Sequence, residues 1–224
     1  MISVIAKRTD PTLLCLIMES LRERRQASLD VKRIQSLTDA VFAIVITILS
    51  LTLVVPPGEN EEGLRRFLWD QILPKLFIFF LGFIIVGAYW VDTHYNHHHI
   101  MKVNKVSIWL NIFFLMFICL IPFSSGFLAN YLYSSISVII YSINLIIVSF
   151  WHLMILIHSW RNKFVYPYVD KKLYRNMRWR IILPILVYLL IIPVSLLRTP
   201  WVVYLFLVPL FFQIFFGRSR KEVR

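Results

Sequence analysis

Charged residues are scarce in this sequence. Only 16% of the 224 residues are charged, whereas 58% are hydrophobic, and the mean hydropathy is +0.70. About a quarter of the residues of an ordinary soluble domain are charged. The composition therefore excludes a soluble globular protein and indicates an integral membrane protein.

Cysteines are also few. Cys15 and Cys119 provide neither a disulfide framework nor a metal-ligand spacing, and we interpret both as free thiols. No small-residue cleavage site follows the apolar patch near the N-terminus, and the run LRERRQ comes next. We therefore expect residues 1–35 to form a retained cytoplasmic N-terminal arm or a surface helix.

Acidic residues are outnumbered by basic ones, which gives a formal net charge of +12. Basic residues that flank apolar spans more often orient a membrane protein than bind nucleic acid. The loop 161–180 also mixes cations with Tyr and Trp, a pattern typical of contact with anionic headgroups. We therefore expect membrane lipids as partners, and no nucleic acid.

Six apolar stretches are long enough to cross a hydrocarbon core, which takes about 20 residues of helix. They are residues 36–56, 74–97, 105–122, 131–160, 179–197 and 200–217. The predicted fold is an all-α integral membrane protein with six transmembrane helices per subunit. Its transmembrane domain covers residues 36–217 and is followed by a basic cytoplasmic tail, 218–224.

Prolines predict where these helices are irregular. Pro122 lies at the predicted end of the third span, where a missing N–H costs little. Pro184, Pro193 and Pro209 lie inside the last two spans and are expected to bend them.

Basic residues are divided unevenly between the two sides of the membrane. Twenty of the 24 lie before residue 36, just after the second span, in the loop 161–180 or after Gly217. The positive-inside rule then places both termini in the cytoplasm of a multi-pass protein of the plasma membrane. Glu59, Glu61 and Glu62 fall on the outer side, as a solvated loop or as a mouth that concentrates cations.

The first span carries a carboxylate, Asp39, at its cytoplasmic end, in the stretch RIQSLTDAVFAIVITILSL. Such a carboxylate is costly without partners, and a helix N-cap would explain Asp39 or Thr38 but not the rest of the motif. One stripe of this helix is apolar apart from one hydroxyl, which in isolation is typical of a packing face. It consists of Leu37, Ala40, Ile44, Thr47, Ile48, Leu51 and Val55.

The residues around Asp39 resemble a family signature. Arg33-x-x-x-Leu37-Thr38-Asp39-Ala40 is similar to the Arg-x-x-x-Phe-Ser-Asp-Ala signature of the transmembrane protein 175 family, the lysosomal and bacterial potassium channels. The replacements by Leu and Thr keep an apolar side chain and a hydroxyl. The resemblance covers spans one to four, with supporting matches at Trp90, His94, Trp109, Leu110, Asn111 and Pro122-Phe123-Ser124.

The resemblance implies a homotetrameric cation channel in which the first helices line the pore. No TVGYG-like carbonyl filter is involved, and the sequence contains none. An apolar constriction is implied at Ile44, with further rings at Ile48 and Leu51, which would close the pore by excluding water. Thr47 would aid modest selectivity for K⁺ over other monovalent cations, unless its hydroxyl only bonds back to the carbonyl of residue 43. K⁺ is then the permeant ion, and no cofactor, metal site or enzymatic activity is expected.

The signature is also expected to fix the first helix against its neighbours. The expected hydrogen-bonding network consists of Thr38, Asp39, His94 and Asn111, with Trp90 packed beside it. Arg33 would lie nearer water and pair with a carboxylate or with cap carbonyls. On this interpretation Asp39 positions the pore helix and does not bind the permeating ion.

The histidines of HYNHHH, residues 94–99, are expected to form an interfacial polar end, and a transition-metal site and a pH-responsive element are the alternatives. His152 and His158 are expected to be structural. A proton-coupled transporter is the main alternative function, but only Asp92 and His152 are ionisable groups inside the spans. A membrane enzyme ranks below it, and an adaptor that only assembles also fits the sequence.

Overall fold

The protein is described by a computed structural model over residues 11–53, 65, 68–132, 134–197 and 200–216. The α-helices are α1 (Pro11–Leu49), α2 (Leu73–His98), α3 (Lys105–Cys119), α4 (Ile121–Asn130), α5 (Ser135–Arg161), α6 (Lys171–Ser195) and α7 (Leu207–Phe216). Ser50–Thr52 and Pro200–Phe206 are 3₁₀ helices, and Leu68–Ile72 is a π-helical turn. Val55, the acidic residues Glu59, Glu61 and Glu62, and the tail 218–224 lie outside the described residues.

Five spans in the described part of the chain are long and apolar enough to cross a membrane, and a sixth apolar helix is shorter. The five are Asp30–Thr52, Leu73–His98, Lys105–Asn130, Ser135–Arg161 and Lys171–Ser195, and the shorter one is Trp201–Phe212. The predicted all-α membrane fold is thus confirmed. The last segment begins as a 3₁₀ helix, whereas α6 stays α-helical through Pro184 and Pro193.

Two predicted span boundaries are wrong. The third span does not end at Pro122, because α4 begins at once and continues to Asn130. Pro122 lies in the first turn of α4, where its missing N–H has no helical acceptor to lose. The fifth span begins at Lys171, so the basic residues as far as Arg180 lie on the first turns of a helix that Asp170 caps.

α1 is longer than one membrane span. It runs for 39 residues from Pro11, and nothing interrupts it at the predicted end of the arm, residue 35. No glycine or proline occurs between Thr12 and Leu49, so no residue breaks the helix. The candidate span begins only at Asp30. The preceding part of α1 therefore extends beyond it by roughly 28 Å, at about 1.5 Å per residue.

The apolar core takes buried side chains from all seven described α-helices and from the helical segment Pro200–Phe206. α5 is the central helix and contacts α3, α4 and α6. The largest fully buried side chains include Phe42, Phe114, Tyr141 and Phe206, one from each of four segments. The core thus fixes one side of α1 to the bundle and determines which of its sides stays uncovered.

Candidate functional site

One side of α1 packs against the protein and the opposite side does not. Phe42, Val45 and Leu49 are buried against the bundle. α2 approaches closely there, since a Cβ added to Gly82 would lie 3.3 Å from a Leu49 methyl group. A side chain at this position would therefore require the Leu49 methyl group to move by a few tenths of an ångström.

The uncovered side is the stripe that the sequence identified. Leu37, Ile44, Ile48 and Leu51 are 41% to 74% exposed, and Ala40 and Thr47 are exposed with them. The stripe is therefore not a packing face within one copy of the chain. Apolar exposure alone does not separate a lipid-facing surface from one that faces other copies, because lipid is as apolar as these side chains.

Polar residues of the signature lie on the packed flank of α1. Asn111 Nδ2 of α3 donates to Thr38 Oγ1 over 3.1 Å, and that hydroxyl donates to the Ile34 carbonyl over 2.9 Å. Thr38 is 1% and Asn111 2% exposed. The expected pairing of Thr38 with Asn111 is therefore present, and it ties α1 to α3.

The expected partner of Asp39 was wrong. Trp90 Nε1 donates to Asp39 Oδ1 over 2.9 Å, whereas Gln35 Nε2 lies 3.3 Å from His94 Nδ1. α1 and α2 run antiparallel, so one turn back along α1 corresponds to one turn forward along α2. Trp90 is thus a hydrogen-bond donor rather than only a packing residue, and Gln35 is a member of the network that sequence reasoning missed.

Arg33 is exposed at the end of this network. It lines a cavity of about 480 Å³ together with Asp30, Asn104 and Lys105. Arg33 and Asp30, both described by the structure, line the same cavity but do not form an ion pair with each other. Among the residues that the structure describes, no carboxylate forms the expected ion pair with Arg33.

Thr47 uses its hydroxyl on the helix itself. Its Oγ1 donates to the carbonyl of Ile44 over 2.7 Å, and Ser50 Oγ donates to the Thr47 carbonyl over the same distance. The acceptor is residue 44 rather than residue 43, the same i−3 pattern that Ser124 and Ser195 show in other helices. The bond uses the proton of the hydroxyl and leaves oxygen lone pairs on the uncovered side.

The histidines at the end of α2 have separate partners. His99 Nδ1 lies 2.7 Å from the Tyr95 carbonyl, His97 is buried, and the rings of His94 and His98 are 6.5 Å apart. Among the residues that the structure describes, no group of three or more His, Cys, Asp or Glu is placed to hold a metal ion.

Comparison with protein families gives one match in this region. A family model described as "Endosomal/lysosomal potassium channel TMEM175" matches residues 33–122. That segment begins at Arg33 and includes the whole of the network between Gln35 and Asn111. It also includes the uncovered stripe as far as Leu51.

Two curated relatives are named as potassium channels. The one from Chryseobacterium sp. (strain P1-3) is 32% identical over 114 residues, which are 51% of this chain and 57% of the relative. The one from Streptomyces collinus (strain DSM 40733 / Tue 365) is 28% identical over 178 residues, 75% of this chain and 84% of the relative. The chain thus matches little more than half the length of the first.

Among solved structures, the chain is similar to a crystal structure described as a lysosomal potassium-selective channel TMEM175 homolog from Chamaesiphon minutus. The TM-score is 0.70 at 19% sequence identity, and the match covers 85% of this chain and 99% of that one. The likeness shows that the two chains share a fold.

Proposed function

This chain belongs to the TMEM175 family, and from that premise we propose that it is a potassium-permeable ion channel that conducts cations passively. The observation that carries the proposal is the uncovered stripe of α1. Its polar flank is bonded inwards to α2 and α3. A helix held in this way presents a fixed apolar face to whatever lies beyond the protomer, as a pore-lining helix must.

Four copies would place this face around a common axis. Ile44, Ile48 and Leu51 follow one another at intervals of three or four residues, so each would form a ring about one helical turn from the next. Such rings exclude water when they are narrow, and they must widen for ions to pass. The apolar constriction is thus the gate of the channel.

Thr47 lies one turn from Ile44 on the same face and would supply the oxygens that favour K⁺. Its intrahelical bond is compatible with this assignment, because the proton points to the backbone and the lone pairs remain for a cation. Four neutral hydroxyls are weaker ligands than a cage of carbonyls. The proposed selectivity over sodium is therefore modest.

The charge distribution supports the proposed orientation. Both termini and the basic start of α6 would lie on the cytoplasmic side of the plasma membrane, with the cations against anionic lipids. Tyr168 and Trp179 are exposed beside these cations, as residues at a headgroup layer are.

The interior of the protomer argues against a proton-coupled transporter. Asp92 Oδ1 lies 2.8 Å from Arg180 Nη2, and Asn96 Nδ2 lies 2.8 Å from His152 Nε2. Asp92 and His152, the ionisable groups that the sequence analysis identified inside the spans, are thus each engaged with a partner in the bundle. The family is one of channels, and the chain is not an enzyme.

Flux through liposomes tests the proposed function. Full-length protein reconstituted with K⁺ inside should dissipate the potassium gradient without any coupling ion, in proportion to the electrochemical gradient. A flux that saturates and carries protons in fixed ratio would establish the transporter instead. Protein that assembles but passes no cation would leave only an adaptor.

A further inference from the structure

The uncovered stripe of α1 does not end where the membrane span begins. At about 100° per residue, five residues between Glu19 and Arg33, both included, fall within about 40° of Ile44 around the helix. They are Glu19, Arg22, Gln26, Asp30 and Arg33. All are exposed except Asp30, which is partly buried. One continuous face therefore runs from the part of α1 beyond the span down to Leu51.

The chemistry of this face changes at Leu37. From Leu37 to Leu51 the face is apolar, whereas from Glu19 to Arg33 acidic and basic residues alternate. Glu19 precedes Arg22 by three positions, and Asp30 precedes Arg33 by the same interval. Gln26 lies between the pairs and donates from Nε2 to Asp30 Oδ1 over 3.4 Å.

This alternating pattern of charges is complementary to the same pattern on a second copy of α1. In parallel helices that surround one axis, identical residues lie at the same height. An acidic residue of one copy then lies within about one turn of a basic residue of the next, as in charged pairs between parallel coiled-coil strands. A face of one charge would repel its copies.

The extension also lies outside the segment that the family model matches. The family model begins at Arg33, so the helix from Pro11 to Lys32 precedes everything that it matches. The pore, the gate and the network with α2 and α3 lie after that point. The conduction pathway thus does not account for a further 22 residues of helix.

We propose that these extensions dock on second copies of the same chain. Neighbouring α1 helices would pack through the stripe from Glu19 to Arg33 and form a charged collar at the cytoplasmic mouth. The inference rests on the proposed function, because copies share this face only if α1 surrounds an axis. The collar would hold the copies in register before their apolar rings meet, and permeating ions would pass through it.

Disulfide trapping in full-length protein tests the collar. Cys15 and Cys119 are first replaced by serine and alanine, and Gln26→Cys is then introduced at the centre of the stripe. Oxidation in liposomes should convert most of the chain to covalent dimers. Ser28→Cys, about 160° away around the helix, is the matched control and should give none. Equal trapping at both positions, or at neither, overturns the proposal.

Charge exchange gives a second readout. Arg22→Glu should lower the trapping yield at Gln26→Cys several-fold, and adding Glu19→Arg should restore it. Failure of the restoration would show that the pairing is not electrostatic and would overturn the assigned contacts. Potassium flux is measured on the same vesicles. Flux without trapping refutes the collar alone, whereas trapping without flux refutes the proposed channel alone.

Discussion

At the scale of residues, the hydroxyl of Thr47 shows that two interpretations of one side chain need not exclude each other. Its proton bonds to the Ile44 carbonyl, so the hydroxyl is satisfied within the helix. Cations are bound by oxygen lone pairs, which this bond leaves exposed. A back-bonded threonine can therefore serve as an ion ligand if the uncovered stripe lines the proposed pore.

Thr47→Val should lower the preference of the channel for K⁺ while conduction continues. The change keeps the shape and removes the oxygen, so a loss of about 1 kcal/mol corresponds to a permeability ratio about fivefold lower. Bi-ionic reversal potentials measure this ratio. Thr52→Val is the control, because Thr52 bonds back to Leu49 in the same way but is partly buried. A similar shift in both variants would remove Thr47 from the selectivity site.

Ile44→Asn should raise the resting potassium leak. The amide hydrates a ring that otherwise excludes water, so the closed pore becomes conductive. Efflux from liposomes without any stimulus is the measurement. Leu190→Asn makes the same change on α6, where Leu190 is 65% exposed. If the two variants leak alike, Ile44 faces lipid and the proposed gate is wrong.

At the scale of elements, two side-chain hydrogen bonds join α1 to α2, and the sequence indicated their partners only in part. The signature and the end of α2 were identified as partners, but the sequence gives no relative rotation or register for two antiparallel helices. The structure shows that register, in which Gly82 of α2 lies close to Leu49 of α1. It assigns Trp90 to Asp39 and His94 to Gln35, which residue types alone do not determine.

The bond between Asp39 and Trp90 should appear as coupling in a double-mutant cycle. Asp39→Ala and Trp90→Phe should each lower the unfolding temperature, and the double variant should be less destabilised than their sum. The expected coupling is about 0.6 to 2 kcal/mol for a polar pair between membrane helices. Thermal unfolding in detergent measures it.

The control for that cycle is Trp109→Phe, which alters an exposed tryptophan on α3. Combined with Asp39→Ala, it should be additive within error. If Asp39 positions α1 and does not contact the ion, as we propose, the permeability ratio of Asp39→Ala channels should stay unchanged. A shift in selectivity with no change in stability would contradict this role.

Hydropathy predicted the number of helical segments well but their boundaries poorly. Apolar runs locate the part of a helix that lipid surrounds, and they say nothing about where hydrogen bonding stops. α1 therefore extends beyond its apolar run by many residues, and α6 begins among the cations of the preceding loop. Pro122 is compatible both with a helix end and with a new first turn, so only the structure distinguishes the two.

At the scale of the whole molecule, the polar groups inside the bundle connect helices that are far apart in sequence. The ion pair between Asp92 and Arg180 joins α2 to α6, and Arg180 also lies over the Tyr95 ring at 5.2 Å. The contact between Asn96 and His152 joins α2 to α5. These contacts hold together the bundle against which α1 packs. They therefore support the orientation of the uncovered stripe, although none of them involves α1.

Asp92→Asn should therefore destabilise the protein without changing its ion preference. Removing one partner leaves Arg180 unpaired at a side-chain exposure of 19%, and breaking a buried ion pair costs about 3 to 5 kcal/mol. The double variant Asp92→Leu with Arg180→Met removes both charges and should recover most of the loss, because well-packed apolar residues often replace such a pair at little cost. Thermal unfolding measures stability, and bi-ionic potentials measure permeability. If the double variant stays folded but loses potassium flux, the ion pair takes part in conduction, and the separation of a structural interior from a conducting α1 face is wrong.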